Sequence, residues 1–435
     1  QTKKTTNSIA KENNIWFYLL FALLILLIYG KTINFEFTLD DDLFFVKHKS
    51  VQKGFDGIGE IFSLGSLNQF DGTTGTQPYR PMTLLFFTFQ RVYFDNSPTT
   101  AHLMNVLLYI LVSFVLFKLL RRLFPEWHRL FAVLITILYI AHPIHTEVVS
   151  SVKSVDELLA ALFCFSSLFF FIPTKEKKET SSVLITLGTF LFFLGILSKE
   201  SAIAFLIIIP LTYYLFVDSN LKTTLKYFGL LLLSSGLFMF MRYKAIGTAP
   251  TNIIDPMLDN ILYRAKGFAE ITATKSQILF YYIKLLFVPW PLSWDYSYNQ
   301  IPIINLSNPI PWLALALHIG LLFASIKYFK KQPVISFSIL FFLIASSPTN
   351  NFFIKNVTTF GERLLFLPSI GWCIGTTWLI SLFTKTDFSN KSFSLKGNFI
   401  PVFGFVAGTF IILTLLRLPD WKDNLSLFRS GVEVS

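Results

Sequence analysis

Two cysteines in 435 residues, Cys164 and Cys373, lie far apart inside apolar runs, so the chain has neither a disulfide framework nor a thiolate metal site. Charge is scarce at 14%, and acidic residues are scarcer than basic ones, 26 against 37. With 53% of residues hydrophobic and 50 phenylalanines, a single water-facing globule could not hide its apolar surface. The first apolar run is not expected to be a removable signal peptide: it has no small-residue cleavage site, and the chain stays hydrophobic beyond it. Gln1 in place of an initiator Met leads us to expect a longer gene product.

What is present is a series of apolar blocks. Residues 15–30, 103–120, 130–141, 158–172, 183–197, 201–217, 225–241, 311–326, 334–346, 364–383 and 399–416 are each bounded by charge, Pro or Asn. Most approach the length that a helix needs to cross a bilayer. Residues 276–292 form a twelfth candidate. The net charge of +11 invites a nucleic-acid reading, but the cations sit in short clusters between apolar runs, so membrane topology explains them better. With the N-terminus and its Lys3, Lys4 and Lys11 in the cytoplasm, alternate threading puts the clusters at Arg121, Arg122 and Arg129, Lys175, Lys177 and Lys178, Lys222 and Lys226, Lys327, Lys330 and Lys331, and Lys385, Lys391 and Lys396 on that same side. This requires that 276–292, with Lys284 in its middle and Pro289 and Pro291 at its end, be an interfacial or re-entrant helix on the far side.

The expected fold is therefore an all-α polytopic membrane helical bundle of about eleven crossings. A cytoplasmic segment at 1–14 precedes a membrane domain at 15–417. External loops at 34–100 and 247–310 interrupt that domain, and an external C-terminal segment follows at 418–435.

This threading gathers the unusual polar groups on the outer face. Asp40, Asp41 and Asp42 open the first loop, and "QPYRPMTLLFFTFQRVYF" closes it, with Pro81 expected in the first turn of an amphipathic surface helix just after Tyr79 and Arg80. His142, His145 and Glu147 follow the third crossing, then Lys153, Asp156 and Glu157. Lys199 and Glu200 end the fifth run, Asp295 follows the re-entrant helix, and Glu362 and Arg363 precede "LLFLPSIGW". Acidic, basic and imidazole groups on separate segments at one membrane boundary suit a charged, lipid-linked substrate. Each has a plainer reading. Three aspartates can be a solvated loop or a helix cap. Lys199–Glu200 and Glu362–Arg363 can be self-neutralising pairs. The His-x-x-His-x-Glu spacing can hold a metal only with a third ligand in suitable geometry, so we expect no metal site.

Taken in order, Asp41–Asp42, "YRPMTLLFF", "AHLMNVLLY", "HPIHTEVVSSVKSVDELLA", "SKESAI", "PLSWDYSYNQIP", "GERLLFLPSIGW" and "LPDWKDNLSLF" resemble the transmembrane and tetratricopeptide-repeat O-mannosyltransferases of the C-type glycosyltransferase superfamily. The likeness covers nearly the whole chain, and the repeats of that family would begin about where this sequence stops. Where the family has a Gly-Arg-Ala-Asp run, Lys153, Ser154, Val155 and Asp156 stand here, so the Asp is kept and Lys153 is the cation left to replace the Arg.

The resemblance implies transfer of a sugar, mannose in the family, from a polyprenyl- or dolichyl-phosphate carrier to a hydroxyl of a protein or glycan at the outer face. It implies Asp41 as base or acceptor orienter, with Asp42 as partner or alternative base. Arg363 and Lys199, then Arg80, would hold the donor phosphate. His142, His145, Glu147, Asp156 and Asp295 would line the donor pocket, and Glu200 and Glu362 would orient the cations. No cofactor is required, a divalent cation being the lesser alternative, and no nucleic acid is implied. The expected location is a bacterial inner membrane with the site facing the periplasm, or alternatively the endoplasmic reticulum membrane with the site facing the lumen. A transporter or flippase of a lipid-linked or anionic solute is the competing class. It calls for ionisable groups in mid-membrane and two related halves, which the sequence does not display.

Overall fold

The computed structural model describes residues 14–65, 78–174, 180–218, 220–247, 260–389 and 397–434. Lys3, Lys4, Lys11, Lys175, Lys177, Lys178, Lys391 and Lys396 lie outside them. All the apolar runs read from the sequence fold as helices, because such segments can satisfy their backbone polar groups in lipid only internally. They are α1 (Ile15–Tyr29), α3 (Pro98–Leu123), α4 (Arg129–Ala141), α5 (Val155–Phe171), α6 (Ser182–Ser198), α7 (Phe205–Phe216), α8 (Leu221–Ile246), α10 (Pro309–Lys327), α11 (Pro333–Ser346), α12 (Ser369–Phe383) and α13 (Phe399–Arg417). Among the described residues, five stretches are long and apolar enough to cross a membrane alone: Ile15–Asn34, Pro98–Leu123, Leu221–Ile246, Pro309–Lys327 and Phe399–Trp421. A sixth forms if Arg129–Ala141 and Pro143–Ser150, bent by 59°, are one span. The chain is an integral, multi-pass, all-α membrane protein. The 276–292 run lies in α9 (Gly267–Phe287), and helices outside the apolar runs include α2 (Pro81–Tyr93) and α14 (Asn424–Val434).

Close helix contacts depend on small residues, as expected where lipid supplies no hydrophobic drive between helices. A Cβ added at Gly195 of α6 would lie 2.9 Å from Cys164 Sγ of α5, and one at Gly371 of α12 would lie 2.5 Å from the Ser338 carbonyl of α11. Hydroxyls bridge the same pairs: Ser167 donates to the Gly188 carbonyl at 2.6 Å, and Ser338 to the Gly371 carbonyl at 2.7 Å.

The bundle has two chemically distinct ends. At one, the His128 amide donates to the Phe388 carbonyl at 2.7 Å and Phe124 meets Phe216 edge-on; the basic clusters around Arg121 and Lys385 belong here. At the other, Thr83 donates to Ser198, Asn105 to Ser151 and Thr414 to Ala141, tying the first loop, the α4–α5 link, the α6–α7 link and the end of α13 together. Helix α9 begins earlier than its apolar run, at Gly267, yet its contacts stay at this second end. Lys275 donates to the Phe352 carbonyl, Thr274 accepts from the Ile304 amide, and the Leu286 carbonyl meets His142. Helix α2 starts at Pro81, where the missing N–H costs nothing, and buries Thr83, Leu84, Phe87 and Thr88 while Phe89 and Tyr93 stay exposed.

Candidate functional site

Asp156, in the first turn of α5, is the hub. Arg80, the residue just before Pro81, donates to Asp156 at 2.7 Å and through Nε to Glu200 at 2.8 Å. Lys199, the residue that caps α6, reaches Asp156 at 3.3 Å and Glu157 at 2.6 Å. Lys153 contributes a third cation, 3.6 Å from Asp156 and 5.7 Å above the Phe44 ring. Burial opposes the charge on Arg80, but Glu200 and Asp156 outweigh it and hold the guanidinium above its usual range. For Lys153 the balance is reversed: burial lowers its pKa, with Asp156 opposing and the other cations assisting. A small hollow opens beside this group, lined by Arg80, Lys153 and Asp156 together with Phe44, Leu84 and Phe87.

A second ionic group adjoins the first. Glu147, on the short helix Thr146–Ser150 behind α4, pairs with the Arg363 guanidinium and also accepts from the Arg363 amide at 3.3 Å. Glu147, and at longer range Asp156 and Asp40, keep Arg363 charged against its burial. Glu362 is buried; one carboxylate oxygen accepts from the Ser293 amide at 2.6 Å and from Tyr296 at 2.7 Å. Burial, with Glu147 adding to it, lifts its pKa to about 7. Arg417, at the end of α13, opposes that rise. It donates to Asp420 at 2.7 Å, while its Nε and Nη2 have no partner among the described residues.

The three aspartates of the first loop play different parts. Asp41 is fully buried: Oδ1 accepts from the Lys153 amide at 2.7 Å and from Ser151 at 3.2 Å, and Oδ2 accepts from the Thr38 amide at 3.0 Å. Burial outweighs these bonds and raises its pKa to about 6. Asp42 forms a half-exposed pair with Lys47 at 3.2 Å. Asp40 is the exposed member of the run, at the tip of a turn closed by the Asp41 amide donating to the Thr38 carbonyl.

Arg80, Asp156, Lys199, Glu200, Glu147 and Arg363 are thus brought together, and Glu362 adjoins them. The cations differ in exposure. Arg363 and Arg80 keep 28% and 21% of their side chains open, whereas Lys199 keeps 4% and is enclosed by its two carboxylates. His142 and His145 are buried with both ring nitrogens engaged. His142 meets the Leu286 carbonyl and the Ile144 amide, and His145 meets Tyr109 and Ser369 at 3.0 Å each. Asp295 caps its own loop through Ser297. No cluster of three or more His, Cys, Asp or Glu side chains suited to a metal occurs among the described residues. Asp40 and Glu157 counted among the outer-face polar groups in the sequence but had no role there, and Arg417 was passed over. An arginine closing the last apolar run was a signal for it.

A family model described as Dolichyl-phosphate-mannose-protein mannosyltransferase matches residues 77–246, a span that includes Arg80, His142, Glu147, Asp156 and Lys199. Protein O-mannosyl-transferase TMTC4 of Mus musculus is 25% identical over 96% of this chain and 62% of its own length. This chain is similar to the TMTC protein O-mannosyl-transferases. The similarity extends to Protein O-mannosyl-transferase F38B6.6 of Caenorhabditis elegans, 24% identical over 91% of this chain and 54% of that protein. It also extends to TMTC3 of Mus musculus, 26% identical over 85% and 42%. The TMTC-like chain thus spans 62% of the length of the TMTC4 relatives. Among solved structures, the apo oligosaccharyltransferase of Archaeoglobus fulgidus aligns with 98% of this chain and 56% of its own at a TM-score of 0.43 and 8% identity.

Proposed function

We propose that this chain is a membrane glycosyltransferase that moves a hexose, mannose by analogy with its relatives, from a polyprenyl- or dolichyl-phosphate carrier to a protein Ser or Thr hydroxyl at the non-cytoplasmic face. The observation that carries this reading is the pair of partly open guanidiniums, Arg80 and Arg363, anchored from behind by Asp156, Glu200 and Glu147 at one end of an apolar bundle. Planar, permanently charged donors set in a partly desolvated cleft suit a phosphodiester entering from lipid. The transfer breaks the bond between the sugar C1 and the phosphate oxygen and forms one from C1 to the acceptor oxygen. The acceptor proton passes to a base, and the electron pair of the broken bond stays on the carrier phosphate, where the guanidiniums receive its charge.

The residue best suited to be that base is Asp40 rather than Asp41. Both Asp41 oxygens are occupied by donors of the fold, whereas Asp40 is exposed and its charge reaches Arg363. Lys199, enclosed by Asp156 and Glu157, serves as a counter-ion holding the hub in place. His142 and His145 brace the frame behind the site, with no ring nitrogen left for a ligand.

The test uses the purified chain with polyprenyl-phosphate-mannose and a Ser/Thr peptide. The expected result is mannosylated peptide, with Arg363→Ala losing about 10²-fold or more in kcat/KM, the usual cost of deleting a donor to transition-state charge. Absence of transfer with every polyprenyl- or dolichyl-phosphate sugar tried overturns the reading.

A further inference from the structure

The turn that carries Asp40 is not held by its own loop alone. Leu39, the residue before Asp40, sits at φ +49°, a left-handed conformation costing a non-glycine residue about 1–2 kcal/mol. Its amide donates to the Asn424 side-chain oxygen at 2.9 Å. Three residues earlier the chain is gripped from two sides: the Glu36 amide donates to the Lys422 carbonyl at 2.9 Å, and its carbonyl meets His102 of α3 at 3.3 Å.

The segment that supplies these contacts is itself firmly seated. Arg417 and Asp420 pair across its first turn, and Trp421 and Leu427 are buried. Helix α14 packs so closely on Trp294 that a Cβ at Gly431 would overlap the indole nitrogen, with Phe428 edge-on to the same ring at 5.2 Å. A strained turn restrained by an anchored partner is how a rigid frame aims one side chain.

We infer that Asn424 is a positioning residue: by fixing the Leu39 amide it sets the 38–41 turn that carries Asp40. Through it, the segment after α13 sets the geometry of the first external loop, although the two are 385 residues apart in sequence. The inference rests on the reading of Asp40 as the base, and its test has one arm that does not.

In that arm, amide exchange over residues 35–41 is compared between the full parent chain and Asn424→Ala in the same detergent. Exchange over this stretch should quicken about three- to tenfold, the range set by losing one hydrogen bond, while α3 and α5 stay unchanged. In the second arm, Asn424→Ala should lower kcat for transfer with the donor KM unaltered. Asn424→Asp, which retains an acceptor oxygen, should behave as the parent. Leu39→Gly in the Asn424→Ala background should restore kcat, because glycine adopts the turn without the restraint. Unchanged exchange in Asn424→Ala overturns the restraint whatever the activity. Quickened exchange with undiminished kcat overturns the positioning role. A parent chain that transfers no sugar defeats the reading of the site instead, and the exchange arm still decides the contact.

Discussion

Among the acidic side chains near the cleft, Asp41 and Glu362 share an unusual burden: both are wholly enclosed, and burial raises them to about 6 and about 7. A carboxyl raised on folding holds its proton more tightly in the native state than in the unfolded one, so native stability falls as pH rises through that interval. Thermal unfolding in detergent should therefore show the parent losing stability between about pH 4, the ordinary carboxyl value, and pH 7. Asp41→Asn should flatten the lower part of this slope. It should also cost about 1–3 kcal/mol near pH 4, the difference narrowing as pH rises, because the amide nitrogen would face a backbone donor that the carboxylate now accepts. A steeper slope in the variant would show that Asp41 is not the titrating group. Little of this was legible in the sequence. Asp40, Asp41 and Asp42 are chemically alike there, and only the turn closed on Thr38 decides which is buried, which exposed and which paired with Lys47. The histidines likewise carried a metal-like spacing, whereas their partners Tyr109, Leu286 and Ser369 lie 36, 144 and 224 residues away.

At the scale of helices, the apolar runs announced themselves, because a segment facing lipid must be apolar around most of its circumference. Their contacts did not, since small residues meet across a helix pair only once it is packed. Gly371 is a direct probe. A methyl there would press on the Ser338 carbonyl and the Phe342 amide at 2.5 and 2.8 Å, both backbone groups unable to yield cheaply. Gly371→Ala should destabilise the bundle by about 1–3 kcal/mol in thermal unfolding. Gly404→Ala, where a Cβ meets nothing within 4 Å, should stay within about 0.5 kcal/mol. Equal melting of the two variants would mean that α11 and α12 do not rely on this approach. Helix α2 was legible down to its first residue because Pro81 marks it, whereas α9 starts nine residues before its apolar run with "GFAEITATK", a polar stretch without an apolar block to reveal it.

For the molecule as a whole, the sequence told the two ends of the bundle apart by charge, and the fold gathers the ionic cluster at the end away from the basic loops. Which residues pair there depends on chain folding: Asp156 finds Arg80 at a separation of 76 residues, and Glu147 finds Arg363 at 216. The sidedness has a simple check. A single cysteine at Lys47, exposed at the cluster's end, should react with a membrane-impermeant thiol reagent added outside intact cells or to the lumen of sealed vesicles. One at Lys331, in the link between α10 and α11, should react only after permeabilisation. The reverse labelling would invert the bundle.

The assignment of chemistry to this cluster stands most directly on Asp40. Transfer from polyprenyl-phosphate-mannose to a Ser/Thr peptide, measured for the parent and Asp40→Asn at saturating donor, should fall by about 10²–10⁴-fold in kcat, the worth of a general base, while donor binding is retained. Undiminished transfer by Asp40→Asn would contradict it.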